Sequence, residues 1–297
     1  MKEITTDFLK EVKKSIESRI SGLEKSSDAR RTAIAEAGLL WALSAAFKTF
    51  HKKDYLIEAT ERKDYFIKHF LDHKYGGVYH TIDEDGERLD TDKLLKAQAI
   101  AIYALSEFNA ATGDDEALKA AKNIFKIIEK EFSDGRTGYA VRLSRDFSPV
   151  EGDDSLDGHI MLLEAYANLY RAMPDKDVAE RISVLLDSLC DNSGAIVGDM
   201  AAEASWKMVE SSFIMRDIDV INKIREVAVK IVEKNGTMAA CCPECLLSRL
   251  WMWKYCGMPL TMKELKEAWA CQEKIEPESG EAEFHAIRAG LGIIDVL

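Results

Sequence analysis

The stretch WALSAAF at residues 41–47 returns 62 residues later as YALSEFN at residues 103–109. The same offset pairs the residues that follow without a gap over about 35 positions, and it aligns Gly76 with Gly138. Each copy contains an apolar helix, a short acidic turn, an amphipathic helix and a glycine-bearing loop. A repeat of this length predicts a fold built from one helical hairpin that is used several times.

Weaker copies of the hairpin follow along the chain. Helices that are apolar nearly all round are predicted to begin near Ala33, Lys93, Leu156, Ala201, Pro243 and Ala282. The helices between them carry an apolar stripe opposite lysine and glutamate. Single helices at the two ends form a sixth pair if the ring closes. The pattern therefore predicts an all-α fold, an (α/α)6 toroid of twelve helices, with one domain over residues 1–297.

The composition agrees with a helical protein and limits its partners. Only 17 residues are glycine and 5 are proline, and 47% are hydrophobic against 8% aromatic, which argues against a β-sandwich or a disordered chain. The net charge of −12 predicts repulsion from nucleic acid and anionic lipid. The longest weakly polar run, residues 33–47, contains Glu36 and is shorter than the ~20 residues of a bilayer span. No apolar signal region precedes it, so we expect a cytoplasmic protein without nucleic-acid or membrane partners.

The cysteines and loops predict neither a metal nor a cofactor. The six cysteines are Cys190, Cys241, Cys242, Cys245, Cys256 and Cys271. They lack the density of a disulfide framework, so reduced thiols are expected. The C-x2-C spacing of Cys242 and Cys245 suits zinc, but no second pair of ligands follows at a suitable distance. The acidic loop at residues 81–92 lacks the glutamate that closes a calcium loop, and no nucleotide-binding or hydrolase motif occurs.

Polar residues collect at the starts of the predicted inner helices. Because all inner helices of such a ring run in one direction, their first turns surround the same opening. These turns carry Lys93, Lys96, Gln98, Asp157, His159, Glu203, Glu244, Glu283, His285 and, a turn later, Arg288. Carboxylates and imidazoles that converge from four helices predict a functional site. His285 is the strongest candidate, because His285 and Arg288 share one helix face.

The candidates also have structural interpretations. Glu203 and Glu244 could complement helix dipoles, which contributes roughly 0.3 to 1 kcal/mol each. His159 precedes an apolar run and could be a core histidine. His80, in the loop GGVYHTIDEDG, is the one other histidine that we expect near the opening.

Several segments resemble the N-acylglucosamine 2-epimerase and cellobiose 2-epimerase family. They are WALSAAF, HFLDHKYGGVYHTIDEDGERLDTDK, QAIAIYALSEF, SRDFSP, HIMLLEAYANLYR, EASW and the late H-x-x-R. The resemblance extends from about residue 33 onward and implies the (α/α)6 fold. It also implies epimerisation or isomerisation of a sugar at its reducing end without a metal or a nicotinamide. The family's site positions fall on His159, Glu203, Trp206, Glu244, His285 and Arg288.

Other positions depart from the family pattern. Met161 replaces a second histidine of the first motif, and Met200 stands where the resemblance implies an acid–base histidine. Gly38, Lys96 and His80 replace an arginine, a tyrosine and an aromatic residue, and the chain is shorter than usual. Epimerisation moves a proton from one face of a carbon to the other, which two titratable groups serve best. Aldose–ketose isomerisation can proceed with one base.

Three hypotheses for the function follow. The first is a sugar isomerase or 2-epimerase acting on a free mono- or disaccharide, with His285 as the general base and His159 assisting ring opening or holding the carbonyl oxygen. The sugar would be bound by Glu203, Glu244, Arg288, Gln98, Lys96, His80 and Trp206. The second is a non-catalytic sugar-binding relative, which Met200 and Gly38 favour. The third is a glycoside hydrolase or lyase with paired carboxylates, such as Asp157 with Glu203 or Glu244.

The ring predicts a geometry for the two histidines. If it closes, His159 and His285 face each other across the opening, about 6 to 11 Å apart, and both are partly exposed to a ligand pocket. A homodimer is compatible with the sequence.

Overall fold

The computed structural model describes residues 2–25, 30–151, 156–236, 242–274 and 280–297. The chain divides into two compact units. The N-terminal unit is residues 26–185, and the C-terminal unit is residues 1–25 together with 186–297. The prediction of a single domain over residues 1–297 stays a prediction.

Twelve α-helices account for most of the described residues, as the repeat predicted. They are α1 (Lys2–Lys25), α2 (Ala33–Phe50), α3 (Lys53–His69), α4 (Leu95–Thr112), α5 (Asp115–Ile127), α6 (Leu156–Ala172), α7 (Lys176–Asp191), α8 (Asp199–Met215), α9 (Ile218–Asn235), α10 (Pro243–Cys256), α11 (Met262–Gln272) and α12 (Gly280–Val296). A π-helical turn, Ile128–Phe132, continues α5, and a short 3₁₀ turn, Ser193–Ala195, follows α7.

The 62-residue repeat has a direct structural counterpart. Helices α2 and α4 each contain 18 residues and begin at Ala33 and Leu95, which are 62 positions apart in the chain. Helices α3 and α5 begin at Lys53 and Asp115, with the same offset. Helix α4 ends where Gly113 adopts φ 78°, a left-handed conformation that suits glycine.

Short strands occupy the loops of the N-terminal unit, which the sequence analysis did not predict. They are β1 (Arg30–Thr32), β2 (Thr81–Asp83), β3 (Arg88–Asp90), β4 (Lys93–Leu94), β5 (Arg142–Leu143) and β6 (Pro149–Glu151). Strands β1, β2 and β3 form one antiparallel sheet, in which Thr32 pairs with Thr81. Strands β4, β5 and β6 form another, in which Lys93 pairs with Leu143. Lys93 therefore lies in a strand and not in the first turn of α4.

The inner helices of the N-terminal unit are α2, α4 and α6, which pack side by side, while α3 packs on α2 and α5 on α4. Small buried residues such as Ala37 and Ala101 permit close approach of the inner helices. Trp41 stacks on Tyr103 with 5.5 Å between ring centroids, so the two copies of the repeat meet through equivalent residues.

The C-terminal unit has the same arrangement of inner helices. Helices α8, α10 and α12 pack side by side, α9 covers α8, and α1 packs against α12. Gly290 makes the last contact possible, because a Cβ atom at this position would approach Ile16 of α1 to 2.8 Å. The first turns of the three inner helices therefore lie next to one another.

Helix α2 has the length and hydropathy of a membrane span, and 67% of that window is buried inside the protein. Apolar core helices of globular proteins have the same property. We therefore treat α2 as a core helix.

The cysteines differ in part from expectation. Cys190, Cys242, Cys245 and Cys256 are free thiols. Cys271 is disulfide-bonded, so the expectation of reduced thiols is wrong at this position. Spacing along the chain could not show this, because disulfide formation depends on distance in space. Cys241 lies outside the described residues.

Candidate functional site

Ionisable side chains meet at the starts of α8, α10 and α12 in the C-terminal unit. Glu203, Glu244 and His285 offer oxygen and nitrogen atoms that all lie within 4.8 Å of one another. Trp206 and Arg288 both contact Glu244. These five residues are the Glu244 cluster below. The sequence predicted each of them as a site residue, and the structure brings them together.

Glu244 is the centre of this cluster. It follows Pro243 at the start of α10 and is only 6% exposed. Its Oε1 lies 2.6 Å from Nδ1 of His285 and also accepts a hydrogen bond from the Arg288 guanidinium. Its Oε2 accepts a hydrogen bond of 2.8 Å from Nε1 of Trp206. Side chains contact both oxygens, so Glu244 positions its neighbours, and its predicted role of binding sugar hydroxyls stays a prediction.

The surroundings of Glu244 keep it ionised. Burial alone would raise its pKa, but the Arg288 charge, the hydrogen bond with His285 and the Lys207 charge hold the pKa of Glu244 well below its usual range. A full negative charge therefore stands beside His285 at neutral pH.

This charge determines the tautomer of His285. Because an ionised carboxylate can only accept, Nδ1 of His285 must carry the proton in the contact with Oε1. Nη2 of Arg288 lies 3.0 Å from the same Nδ1, so two donors converge on one carboxylate oxygen. Nε2 is then the basic nitrogen of the neutral ring. The His285 side chain is 24% exposed, which confirms the predicted partial exposure.

Arg288 and Trp206 are also positioning residues. The Arg288 guanidinium is 5.1 Å from the ring centroid of Trp206 and 5.2 Å from that of Phe284, distances typical of cation–π contacts. Both Arg288 and Trp206 are buried. Their observed contacts hold Glu244, and their predicted contacts with a substrate stay predictions.

Glu203 is the second carboxylate, and its side chain is 31% exposed. Lys207, one turn later on α8, places Nζ 3.4 Å from Oε2 of Glu203 while its own side chain is only 3% exposed. The sequence analysis missed Lys207, because a Glu–Lys pair at i and i+4 is usually a solvent-exposed pair. The available signal was its position in the apolar stretch ASWKMV of an inner helix.

The Glu244 cluster could also be considered as a cation site. Two carboxylates and an imidazole within 4.8 Å of one another are spaced for a divalent ion. Arg288 already supplies the positive charge that Glu244 accepts, and a cation would have to compete with it.

The remaining site predictions lie in the N-terminal unit. Gln98 is fully buried, and its amide bonds the backbone of Val78 twice, accepting from N at 2.8 Å and donating to O at 3.0 Å. It therefore holds the loop at residues 76–80 and is not available to a ligand. Lys96 is half-buried in the first turn of α4. His80 is half-buried next to β2, and its backbone oxygen accepts from Ala33 at the start of α2.

His159, at the start of α6, is only 3% exposed. Its ring packs edge-on to Tyr139, with 6.0 Å between centroids. The predicted partial exposure of His159 is therefore wrong, because the apolar face of α6 carries it into the interior. The predicted separation of His159 from His285 stays a prediction.

Asp72, Tyr79 and Lys93, which are buried, and Arg145, whose side chain is 34% exposed, form another group, the Asp72 cluster. Oδ2 of Asp72 accepts from Nζ of Lys93 at 3.0 Å and from Nε of Arg145 at 2.9 Å, and neither Asp72 nor Lys93 is exposed. Arg145 also donates to the Tyr79 hydroxyl at 2.8 Å. Burial alone would raise the pKa of Asp72, but Arg145 and Lys93 hold it well below its usual range.

Comparison with known proteins finds a matching family model and relatives with similar sequences. A family model for N-acylglucosamine 2-epimerase matches residues 21–212. The cellobiose 2-epimerase of Bacteroides fragilis is 33% identical over 245 residues, which are 72% of this chain and 62% of that protein. The chain therefore spans less than two thirds of the length of this relative.

Solved structures resemble most of the chain. A sugar epimerase from a ruminal bacterium has a TM-score of 0.82 at 22% identity, covering 90% of this chain and 88% of that one. A D-mannose isomerase has a TM-score of 0.75 at 12% identity, with coverages of 92% and 88%. The predicted fold class, an all-α (α/α)6 toroid, is confirmed.

Proposed function

Because the chain belongs to the N-acylglucosamine 2-epimerase family, we propose that it isomerises or epimerises a free mono- or disaccharide at the carbon next to the reducing-end carbonyl. The observation that carries the proposal is the contact of 2.6 Å between Nδ1 of His285 and Oε1 of Glu244. It supplies an imidazole whose Nε2 is basic and whose protonated form is stabilised by a neighbouring charge.

The reaction begins on the open-chain sugar. Nε2 of His285 removes the proton from C2, and the electron pair of the C–H bond forms an enediolate with the former carbonyl. The ring becomes an imidazolium, which the ionised Glu244 stabilises through the Nδ1 proton. Return of the proton to C1 on the same face gives the ketose. Return of a proton to the opposite face of C2 requires a second group and gives the 2-epimer.

The finer reaction that we propose is aldose–ketose isomerisation. Met200, which stands at the position of the implied second acid–base histidine, has no titratable group. Within the Glu244 cluster, His285 and Glu203 are the members with substantially exposed side chains. His285 then serves as the single carbon base, and Glu203 moves the proton between the oxygens at C1 and C2.

Other parts of the proposal rest on the sequence. His159, Lys96 and His80 are proposed sugar contacts from the N-terminal unit, with His159 assisting ring opening. We also propose a cytoplasmic location, a reaction without metal or nicotinamide, no nucleic-acid or membrane partner, and a homodimer. The acidic net charge and the composition support the location and the partners.

Proton NMR in deuterium oxide tests the activity. Mannose, glucose, N-acetylhexosamines and cellobiose are incubated separately with the enzyme and with His285→Gln as the matched control. Loss of the C2 proton signal with the wild type alone is expected, and some protium carried to C1 of a ketose would identify single-base isomerisation. Absence of exchange in every sugar at high enzyme concentration would overturn the proposal.

The two other hypotheses have distinct readouts. A non-catalytic relative would bind a sugar in calorimetry without any turnover. A glycoside hydrolase would release reducing ends from oligosaccharides and needs two available carboxylates. Glu244 is fully occupied by Trp206, His285 and Arg288, which argues against a catalytic pair of Glu203 with Glu244.

A further inference from the structure

Four polar side chains meet inside the N-terminal unit and take no part in the proposed reaction. They are Glu129, Tyr139, Tyr166 and Arg181, called the Glu129 cluster below. Both tyrosines are buried, and the side chains of Glu129 and Arg181 are 19% and 16% exposed. The four residues come from the π-helical turn after α5, the loop before β5, α6 and α7, so the cluster joins four segments of the chain.

Glu129 is the centre of this cluster. Its Oε1 accepts hydrogen bonds from the hydroxyl groups of Tyr166 at 2.6 Å and Tyr139 at 3.0 Å. Its Oε2 lies 2.6 Å from Nε of Arg181. Hydrogen bonds to an ion-paired carboxylate are strong, so Glu129 holds both hydroxyl groups in place.

The hydroxyl of Tyr139 is held from two sides. It donates to Oε1 of Glu129 and accepts a hydrogen bond from Nη2 of Arg181. Burial and the neighbouring Glu129 charge raise the pKa of Tyr139, so the hydroxyl keeps the proton that it donates. The two bonds together fix the far end of the tyrosine ring.

The ring of Tyr139 contacts His159, the predicted site histidine of α6. The ring centroids are 6.0 Å apart and the interplanar angle is 75°, an edge-to-face geometry that aromatic pairs prefer. Both side chains are buried. Because protein interiors are close-packed, the imidazole cannot tilt towards Tyr139 without displacing the tyrosine ring.

Tyr166 provides a contrast within the same cluster. It lies on α6, seven residues after His159, and its hydroxyl donates to the same carboxylate oxygen that Tyr139 uses. Its ring packs edge-on to Phe125 of α5, with 4.9 Å between centroids. The two tyrosines therefore make equivalent bonds with Glu129 but pack against different partners.

The fold of the repeat does not require a carboxylate at this position. The residue 62 positions before Glu129 is Ile67, so the first copy of the hairpin has an uncharged side chain there. In the second copy Glu129 lies in the π-helical turn Ile128–Phe132, where N of Ser133 donates to O of Ile128 at 3.1 Å. Such turns are rare and occur frequently at functional sites.

We propose that Tyr139 is a positioning residue for His159, and that Glu129 and Arg181 hold Tyr139 in the required place. This inference rests on the proposed function, in which His159 assists the opening of the sugar ring. Proton transfer during ring opening needs an imidazole nitrogen within hydrogen-bond reach of the sugar. A misplacement of about 1 Å can lower the rate by about 10²-fold, so the orientation of a buried imidazole depends on its packing partner.

NMR of the imidazole measures this positioning without any turnover. The full chain is labelled with ¹³C-histidine, and the signal of His159 is identified by its loss in His159→Gln. Tyr139→Phe is expected to shift or broaden this signal, because the ring loses both bonds that fix its far end. Tyr166→Phe, the matched control, should leave the signal in place. An unchanged signal in Tyr139→Phe, or equal shifts in the two variants, would overturn the proposal.

Kinetics separate positioning from stability. The anomers of a sugar interconvert through the open chain, so the rate of enzyme-catalysed anomer exchange reports ring opening directly. In Tyr139→Phe we expect kcat and anomer exchange to fall by about tenfold or more, with a small change in KM. Tyr166→Phe should lower the urea midpoint to a similar extent and keep kcat. Equal losses of kcat in the two variants would identify the cluster as structural only and contradict the proposal.

Arg181→Lys tests the support of Tyr139 independently. Lysine keeps a positive charge beside Glu129 but lacks the planar fork that reaches both the carboxylate and the tyrosine hydroxyl. We expect kcat to fall and the His159 signal to shift as in Tyr139→Phe. A wild-type kcat together with a wild-type signal would contradict the role of Arg181. A chain that turns over no sugar, but whose His159 signal responds to Tyr139→Phe and not to Tyr166→Phe, would contradict the proposed function and leave the positioning of His159 supported.

Discussion

The Asp72 cluster and the Glu244 cluster share a buried carboxylate that is paired with a buried cation. They differ in the further side chain that contacts this carboxylate. Each has a buried carboxylate next to the start of an inner helix, and each carboxylate is held by a buried cation. In the Asp72 cluster the further partner is Arg145, which also donates to the Tyr79 hydroxyl. In the Glu244 cluster the further partner is His285, with a side chain that is 24% exposed.

This difference separates a structural charge from a functional one. Asp72 is paired with two cations, the buried Lys93 and the partly exposed Arg145, which come from segments distant in sequence, so the cluster holds these segments together. Glu244 instead contacts the partly exposed imidazole of His285, a side-chain type that commonly acts as a general acid or base. A buried carboxylate is therefore functional when one of its partners is both titratable and accessible.

Removal of His285 gives the largest expected change in activity. In His285→Gln, turnover of the sugar identified by NMR should fall by a factor of about 10²–10⁴, the usual contribution of a general base. The unfolding free energy should change by no more than about 0.5 kcal/mol, because the side chain is partly exposed and contributes little packing. Steady-state kinetics and urea denaturation measure the two quantities.

His159→Gln is the matched variant in the N-terminal unit. If His159 takes part in ring opening, turnover should fall while stability changes little. A loss of about 1–3 kcal/mol with turnover retained would identify a buried histidine whose hydrogen bonds and packing serve the core. Retained turnover in His285→Gln would contradict the interpretation of the Glu244 cluster as functional and of the Asp72 cluster as structural.

Asp72→Asn should give the largest loss of stability. The substitution leaves Lys93 and Arg145 without their common counter-charge, and breaking a buried ion pair on one side costs about 3–5 kcal/mol. Urea denaturation measures this loss. A loss below about 1 kcal/mol would show that the Asp72 cluster is not a structural ion network.

Asp134→Asn is the natural control for that prediction. Asp134 occupies the position equivalent to Asp72 in the next copy of the repeat, but it is exposed and bonds the backbone of Arg136 and Gly138. We expect its substitution to cost about 0.5–1.5 kcal/mol, the contribution of ordinary hydrogen bonds. Equal losses at the two positions would mean that burial of charge is not what distinguishes them.

The sequence predicted the helices well because the repeat indicates where each helix begins. Inner helices begin within two residues of the predicted starts, from Ala33 to Gly280. The strands were missed, because two or three residues are too few to show a period. The structure brings together the five predicted residues of the Glu244 cluster, since motif spacing and helix starts agreed there, and their functions stay predictions.

Individual functions were harder to predict, because they depend on partners distant in sequence. Gln98 lies at the start of an inner helix as a ligand-binding residue would, yet its amide bonds Val78 in the preceding loop. Lys93 is paired with Asp72, 21 positions away. No local pattern shows whether a polar atom is already used by the fold, so these contacts could not be predicted from the sequence.

The pH dependence of stability provides a smaller and more specific test of the Asp72 cluster. The folded pKa of Asp72 is depressed, so its stabilising contribution is present above the unfolded value of about 3.9 and is lost as pH falls below it. Between about pH 4 and pH 3 the stability advantage of wild type over Asp72→Asn should shrink by up to about 1 kcal/mol. An advantage that grows over this interval would contradict the depressed pKa.

Lys207→Met should give the smallest effect and decide whether the Glu244 cluster extends to the residue that the sequence analysis missed. The Lys207 charge lies 3.4 Å from Oε2 of Glu203 and contributes to the depressed pKa of Glu244. Its removal weakens the ionisation of Glu244 and takes away the Lys207 contact of Glu203, so kcat should fall by about three- to tenfold, which is about 1 kcal/mol, while KM changes little. Because methionine fills the same space without a buried charge, the unfolding free energy should stay the same or rise. Lys254→Met, an exposed position on α10, controls for the loss of one positive charge and should leave kcat unchanged. A lower unfolding free energy with unchanged kcat in Lys207→Met would place Lys207 with Lys93, as a cation that serves only the structure.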